Sequence, residues 1–79
     1  MRVWFGRSRA QLMRERKWHK SQKIKELGKG EIELSFELSS TVEIVPWILS
    51  WGEHARAVAP KSLVNEVKQT AARIAKLYQ

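Results

Sequence analysis

The stretch that decides the fold is VPWILSWGEHARAVAP, residues 45–60. Apolar residues dominate its first seven positions and predict a helix, and Gly52 then supplies the backbone freedom that ends helices. In residues 55–59, alanines alternate with larger side chains at the period of a strand. Pro60 stands where a second helix can begin, because the first helical position needs no N–H. A helix that leads directly into a strand indicates a layered α+β domain.

The segments before this stretch predict two further strands and a helix. Residues 2–5 (RVWF) have the composition of a first strand. Ser8 is a candidate N-cap for a helix over residues 9–16. Residues 21–27 form a polar strand, and their lysines favour a place at the edge of a sheet. Gly28-Lys29-Gly30 then predicts the turn of a hairpin.

Residues 31–38 (EIELSFEL) alternate between apolar and polar side chains along their whole length. This period predicts an antiparallel strand with one buried face and one face in water. The buried face would carry Ile32, Leu34, Phe36 and Leu38. The other face would carry Glu31, Glu33, Ser35 and Glu37, opposite Lys23 and Lys25 of the preceding strand.

The helix of residues 45–51 is predicted to begin earlier, at the capping box formed by Ser40 and Glu43. Pro46 would then lie about two turns inside the helix and bend it. The helix is apolar on two sides, whereas a helix that covers one sheet face needs one apolar stripe. One stripe is Val42, Val45 and Leu49; the other is Ile44, Trp47, Ile48 and Trp51. We therefore expect an interface at Ile44, Trp47 and Trp51, which a single small domain cannot bury completely.

The last helix is predicted over residues 61–78, with one apolar stripe that should face the core. The stripe consists of Leu63, Val67, Thr70, Ala71, Ile74 and Tyr78. The complete order is β-α-β-β-α-β-α. This order predicts a ferredoxin-like α+β sandwich with a four-stranded antiparallel sheet, covered mainly on one face, and an extra C-terminal helix.

The composition limits the chemistry that the chain can perform. Its 79 residues suffice for one domain, and cysteine and aspartate are both absent. Disulfides, zinc–thiolate sites and thiol nucleophiles are thereby excluded. His19 and His54, the only two histidines, have no carboxylate at metal-ligand spacing, and no glutamates pair as acid and base. We expect a cytoplasmic protein that is not an enzyme, holds no metal or cofactor and does not enter a membrane.

The positive charge is concentrated in the first third of the chain. Of the net charge of +7, residues 1–29 contribute +8 and residues 30–79 contribute −1. Such a segment attracts phosphate groups or other acidic partners, although it is equally typical of a solvated surface. Cations around Trp18 suit single-stranded nucleic acid, unless this ring packs beneath the first helix. The candidate contact residues are Arg7, Arg9, Arg14, Arg16, Lys17 and His19.

Three stretches together resemble the WCX domain, the C-terminal extension of bacterial WYL-type transcriptional regulators. The stretch RSRAQLMRERKWHKSQKI resembles the first helix of that family and its Trp-His-x-Ser-Gln element. EIELSFELSS resembles the central strand, and WILSWGEHARAVAPKSLVNEVKQTAARIAKLY resembles the end of the second helix, the last strand and the last helix. The Trp-His-x-Ser-Gln element corresponds here to Trp18, His19, Ser21 and Gln22.

The resemblance implies a single WCX-like domain over residues 1–79, at the C-terminus of a longer regulator. Its expected partners are a WYL domain and a helix-turn-helix domain of the same chain and a second copy in a homodimer. It would help to form a site for a nucleic-acid or nucleotide effector.

Two other functions remain open: a free-standing ferredoxin-like module that binds nucleic acid through its basic first third, and a small-molecule regulatory domain. RRM-type modules place aromatic residues on the open sheet face. Here Glu33, Ser35 and Glu37 are expected on that face, which argues against the first alternative.

Overall fold

The computed structural model describes all 79 residues and contains a four-stranded antiparallel sheet with three α-helices. The elements are β1 Arg2–Phe5, α1 Arg7–Glu15, β2 Lys23–Gly28, β3 Glu31–Ser35, α2 Ile44–Ser50, a 3₁₀ turn Gly52–His54, β4 Ala55–Ala59 and α3 Lys61–Lys76. The strand order is β2-β3-β1-β4. This arrangement confirms the predicted ferredoxin-like α+β class with an additional C-terminal helix.

The core lies between the helices and one face of the sheet. It consists of the inward-facing residues of the strands together with the apolar stripes of the helices, because side chains alternate in a strand and recur every three to four residues in a helix. The buried residues are Val3, Phe5, Ala10, Met13, Ile32, Leu34, Phe36, Ile44, Ile48, Ala57 and Leu63. The helices thus cover one face and leave the other open.

The central strand is shorter than its alternating pattern predicts. β3 ends at Ser35, yet the alternation continues, so that Phe36 is buried and Leu38 is half-buried. Lys25 lies opposite Glu33 in the register with β2, as predicted. The carboxylate of Glu33 nevertheless accepts a 3.4 Å hydrogen bond from Arg2 on β1.

The predicted hairpin turn is confirmed by the backbone of its three residues. Gly28, Lys29 and Gly30 all have positive φ values, of 91°, 57° and 81°. A Cβ at Gly30 would lie 2.7 Å from Cγ of Arg7, so a side chain at this position would force Arg7 to move. The turn therefore packs directly against the start of α1.

The first helix begins earlier than predicted, and Ser8 is not its N-cap. Gly6 holds that position, and its carbonyl accepts the amide N–H groups of Arg9 and Ala10 at 3.1 Å. Gly6 is itself fixed by donating its N–H to the carbonyl of His54. Ser8 lies inside the helix, where its hydroxyl is 3.0 Å from Nδ1 of His54. This contact with the 3₁₀ turn replaces the predicted cap.

The second helix begins later than predicted, at Ile44, and no side chain caps it. The hydroxyl of Ser40 accepts the N–H of Val42 at 3.2 Å, a local turn in place of a capping box. Pro46 therefore lies in the first turn of α2. The predicted position two turns inside the helix is therefore wrong, and Pro46 breaks no intrahelical hydrogen bond there, because the first-turn N–H groups of a helix have no partner within it.

The third helix extends beyond the core. Leu63 is buried and Val67 is half-buried, but every residue from 71 to 79 is exposed. The predicted core-facing stripe is therefore wrong beyond Thr70. A 16-residue helix is about 24 Å long, whereas the strands beneath it have only four to six residues. The last turns of the stripe consequently face solvent.

One ion pair joins the first helix to the edge strand. The guanidinium of Arg14 donates two hydrogen bonds to the carboxylate of Glu26, at 2.9 and 2.7 Å. The hydrogen bond from Arg14 lowers the pKa of Glu26 below its ordinary value of 4.5. A lowered pKa in the folded state means that the pair stabilises the fold at neutral pH and ceases to do so as the carboxylate is protonated.

We expect the Glu26→Gln variant to lose this pH dependence. Between about pH 6 and pH 3, the free energy of unfolding should fall more steeply in the wild type than in Glu26→Gln. Urea unfolding at several pH values measures the difference. The matched control is Glu15→Gln, which also removes one exposed carboxylate but one without an arginine partner. Parallel pH profiles for the wild type and Glu26→Gln would contradict the assignment.

Candidate functional site

Five aromatic rings meet between the inner sheet face, α2 and the loop that follows α1. We call them the aromatic cluster: Phe5, Trp18, Phe36, Trp47 and Trp51. Neighbouring ring centroids are 5.6–6.2 Å apart, and most pairs are close to perpendicular. Edge-to-face contacts of this kind add to the free energy gained from burial. The cluster therefore fixes the loop and α2 on the sheet.

Three indole N–H groups of the cluster are buried without a hydrogen-bond partner, those of Trp18, Trp47 and Trp51. An unpaired buried donor ordinarily costs about 1–3 kcal/mol. Packing of apolar area, not hydrogen bonding, accordingly holds these rings together.

The loop of residues 16–22 is ordered by Gln22. Its side-chain carbonyl accepts the backbone N–H of Trp18 at 2.7 Å, and its amide donates to the carbonyl of Arg16 at 3.1 Å. Ser21 fastens the loop to the chain beyond β3, because its hydroxyl accepts the N–H of Glu37 at 2.9 Å. These contacts hold the indole of Trp18 against the other rings of the aromatic cluster.

The hydrogen bonds of His19 define its tautomer. The backbone N–H of Ser21 donates to Nδ1 of His19 at 3.1 Å, and the Ser21 hydroxyl lies 2.7 Å from the same atom. A backbone N–H can only donate, so Nδ1 must be unprotonated and the proton of the neutral ring lies on Nε2. His19 thus keeps one N–H donor that the loop does not use.

A cleft of about 200 Å³ opens beside the aromatic cluster. It is lined by Trp18, His19, Phe36, Leu38, Glu43, Ile44 and Trp47. Sites for whole drug-sized ligands measure roughly 300–1,000 Å³, so this cleft has room for a single ring or a group of similar size. The carboxylate of Glu43 is exposed at its rim and takes part in no ion pair. The cleft therefore offers aromatic surfaces, one acceptor and one N–H donor.

The structure divides the predicted basic residues between two places. Arg7 and Arg14 meet at the hairpin turn, where Cγ of Arg7 lies against Gly30 and Arg14 is bound to Glu26. Arg9 is half-buried elsewhere on α1.

The second group adjoins the cleft. The guanidinium of Arg16 lies 5.8 Å from the ring centroid of Trp18, Lys17 is exposed beside it in the chain, and His19 lines the cleft. Of the predicted basic residues, His19 therefore lines the cleft and Arg16 lies over one of its rings, whereas Lys17 is the exposed neighbour of Arg16 in the chain.

The predicted interface residues also have different environments. Ile44 is 4% exposed and belongs to the core. Trp47 and Trp51 are half-buried in the aromatic cluster. None of the three is fully exposed, and their contact with a partner stays a prediction.

Sequence reasoning missed the aromatic residue on the open sheet face. Trp4 lies there on β1; its indole N–H donates to Glu31 at 2.9 Å and the guanidinium of Arg56 lies 5.2 Å from its ring centroid. Because neighbouring side chains of a strand lie on different faces of the sheet, the alternation of β1 would have placed Trp4 on the face away from the buried Phe5. Because these contacts already occupy its edge and a ring face, Trp4 is a structural residue of the open sheet face.

Phe36, Leu38 and Glu43 were not identified as cleft residues either. They were interpreted as parts of a strand and of a capping box, whereas residues 36–43 form an irregular segment that meets the loop of residues 16–22. Contact between two irregular segments has no periodic signal in the sequence. The one available sign was Trp18, a large ring in a polar segment.

The family model of the WCX domain matches residues 1–75. No curated protein matches the chain. No group of three or more histidine, cysteine or acidic residues is arranged to hold a metal ion. None of the helices combines the length and the apolar character that are needed to cross a bilayer.

Proposed function

The chain belongs to the WCX domain family, and on that premise we propose that it is a regulatory domain of a WYL-type transcriptional regulator. In this proposal the domain works with a WYL domain and a helix-turn-helix domain of the same chain. It helps to dimerise the regulator and forms part of its effector site. The effector is a nucleotide or a single-stranded nucleic acid.

The observation that carries this proposal is the position of the aromatic cleft beside unpaired cations. Trp18 and Trp47 line the cleft, and the guanidinium of Arg16 lies 5.8 Å from the ring centroid of Trp18. The exposed Lys17 follows Arg16 in the chain, and neither cation has a carboxylate partner. Single-stranded nucleic acids bind where a flat aromatic surface and positive charge occur together. The open sheet face also pairs a ring with a cation, Trp4 with Arg56, but it offers no cleft and the indole N–H of Trp4 is already bonded to Glu31.

The groups at the cleft suggest how an effector would bind. One base would pack against the indole rings of Trp18 and Trp47, and its phosphate would face Arg16 and Lys17. The rim carboxylate of Glu43 can accept an N–H from a base edge, and Nε2 of His19 can donate to a base carbonyl or ring nitrogen. The remaining part of the nucleotide would lie outside the small cleft, where another domain can contact it.

A free-standing nucleic-acid module that uses its open sheet face has less support. Modules of that kind stack bases on unoccupied aromatic rings. The single large ring on this face, Trp4, is already engaged by Arg56 and Glu31. Bases would have to displace these contacts.

Fluorescence titration tests the proposed effector class. Addition of a single-stranded oligonucleotide should quench tryptophan emission, with a dissociation constant of roughly 10⁻⁴ to 10⁻⁶ M and strong weakening by salt. Duplex DNA of the same length is the control, because its bases are stacked and cannot enter the cleft. Equal binding of the duplex with no change in emission would show contact with phosphates alone and contradict the proposal.

A further inference from the structure

Two polar side chains line the aromatic cleft, and each of them has one fixed hydrogen-bonding role. Nε2–H of the neutral His19 ring can only donate, because the N–H of Ser21 occupies the unprotonated Nδ1 at 3.1 Å. The carboxylate of Glu43 can only accept, and it has no ion-pair partner. The other residues that line the cleft are all apolar or aromatic. These two groups therefore determine which base edge can enter.

A carboxylate distinguishes among the common bases, because both of its oxygens accept hydrogen bonds. Guanine has two neighbouring donors on its Watson–Crick edge, the ring N1–H and an N–H of the 2-amino group, which can meet the two oxygens together. In adenine and cytosine the amino N–H lies beside a ring nitrogen, and the lone pair of that nitrogen repels the second oxygen. In thymine and uracil the single ring N–H lies between two carbonyl oxygens. Guanine is thus the common base that matches a carboxylate at two points.

The second polar group of the cleft also matches guanine. The O6 carbonyl of guanine lies next to N1–H and accepts hydrogen bonds, as does N7 beyond it. Nε2–H of His19 is a donor in the same cleft as the Glu43 carboxylate. A single base edge therefore provides two donors for Glu43 and an acceptor for His19.

We propose that the aromatic cleft selects guanine and that Glu43 determines this preference. The inference rests on the proposed function and deepens it by naming the base that the effector places in the cleft. The six-membered ring of guanine carries all three groups, N1–H, the 2-amino group and O6, and fits a cleft of about 200 Å³. It packs against the indole rings of Trp18 and Trp47, while the five-membered ring leads out to the sugar and phosphate.

The charge of Glu43 strengthens the selection. A carboxylate beside a site for nucleic acid repels the phosphates, and this repulsion weakens the binding of every base that leaves the carboxylate unpaired. Hydrogen bonds to an ionised acceptor are roughly twice as strong as those between neutral groups. Guanine offsets the repulsion with two such bonds, whereas the other bases bring an acceptor towards the same carboxylate.

Single-stranded heptanucleotides that differ in one base test this preference. The probes are heptathymidylate and its derivatives with guanine, adenine, cytosine or hypoxanthine at the central position, so that the phosphate contacts are the same in all of them. The guanine probe should bind at least about tenfold more tightly than the adenine, cytosine and thymine probes. Hypoxanthine lacks the 2-amino group and should have an intermediate affinity. Titration of tryptophan fluorescence at one salt concentration measures all of these affinities.

The Glu43→Gln variant tests whether the carboxylate causes the preference. Its amide replaces one acceptor by a donor, which matches the amino N–H and the neighbouring ring nitrogen of adenine. The ratio of guanine affinity to adenine affinity should therefore fall at least about tenfold. Glu43 is exposed and unpaired, so the variant should fold like the wild type, and circular dichroism verifies this.

The matched control is Glu53→Gln, which removes one exposed, unpaired carboxylate from the 3₁₀ turn, outside the lining of the cleft. It makes the same change in net charge and should keep the wild-type preference for guanine. Equal affinities for all probes, with quenching of tryptophan emission, would overturn the inference and leave the proposed function intact. A guanine preference that Glu43→Gln does not alter would overturn the role of Glu43. Absence of quenching by every probe would contradict the proposed function and the inference with it.

Discussion

The Phe5→Ala variant is expected to lose about 3–5 kcal/mol of its free energy of unfolding. Phe5 is fully buried, and its ring contacts the edges or faces of both Trp47 and Trp51. Removing it leaves a cavity in the middle of the aromatic cluster. The free energy of unfolding of a 79-residue domain is roughly 4–12 kcal/mol, so this one loss would remove at least about a quarter of it.

The matched control is Trp4→Ala, the preceding residue on the same strand. Trp4 is the larger side chain but lies on the open sheet face, where it has one hydrogen bond to Glu31 and one contact with Arg56. Its truncation should cost about 1–2 kcal/mol. Urea unfolding followed by circular dichroism measures both variants. Equal losses would show that the aromatic cluster has no special part in stability.

The sheet was predictable because its strands have strong periodic signals. In β3 the alternation of Ile32 and Leu34 with glutamates specifies which face is buried, and the two glycines of the hairpin turn define where the chain reverses. Sequence periodicity reports which side of an element is apolar. Periodicity predicts the buried residues most reliably where the whole element is short enough to pack against the core along its full length.

The same periodicity failed in α3 because it does not report how far the core extends. Leu63 and Ile74 belong to one apolar stripe, but the first is buried and the second lies beyond the layer that could cover it. An apolar stripe predicts a buried surface without saying which molecule buries it.

The site was only partly predictable, because charge patterns on a helix do not reveal tertiary partners. Arg14 and Lys17 are three residues apart, a spacing that would place them on one side of a continuous helix. In the fold Arg14 is bound to Glu26, which the chain brings back from β2, while Lys17 lies beyond the helix end. Arg14 therefore joins α1 to β2. Reversing the charge at this position would change the free energy of unfolding as well as the affinity for the oligonucleotide.

The cations next to the cleft should determine oligonucleotide binding. We expect the double variant Arg16→Glu/Lys17→Glu to weaken single-stranded oligonucleotide binding at least about tenfold. The loss of two phosphate contacts should also reduce the slope of log K against log salt by about 1.4, since each contact on a single strand contributes about 0.7. Titrations at several salt concentrations measure both quantities.

The control is Lys61→Glu/Lys68→Glu, which makes the same change in net charge at two exposed positions of α3. A long-range effect of the +7 charge would weaken binding equally in both double variants, whereas contact at the cleft predicts a clear loss only for Arg16 and Lys17. The residues of both pairs lie outside the core, so each double variant should unfold at nearly the same urea concentration as the wild type. If the two pairs lose affinity and salt dependence to the same extent, the basic first third is a solvated surface, and the effector must be sought elsewhere on the domain.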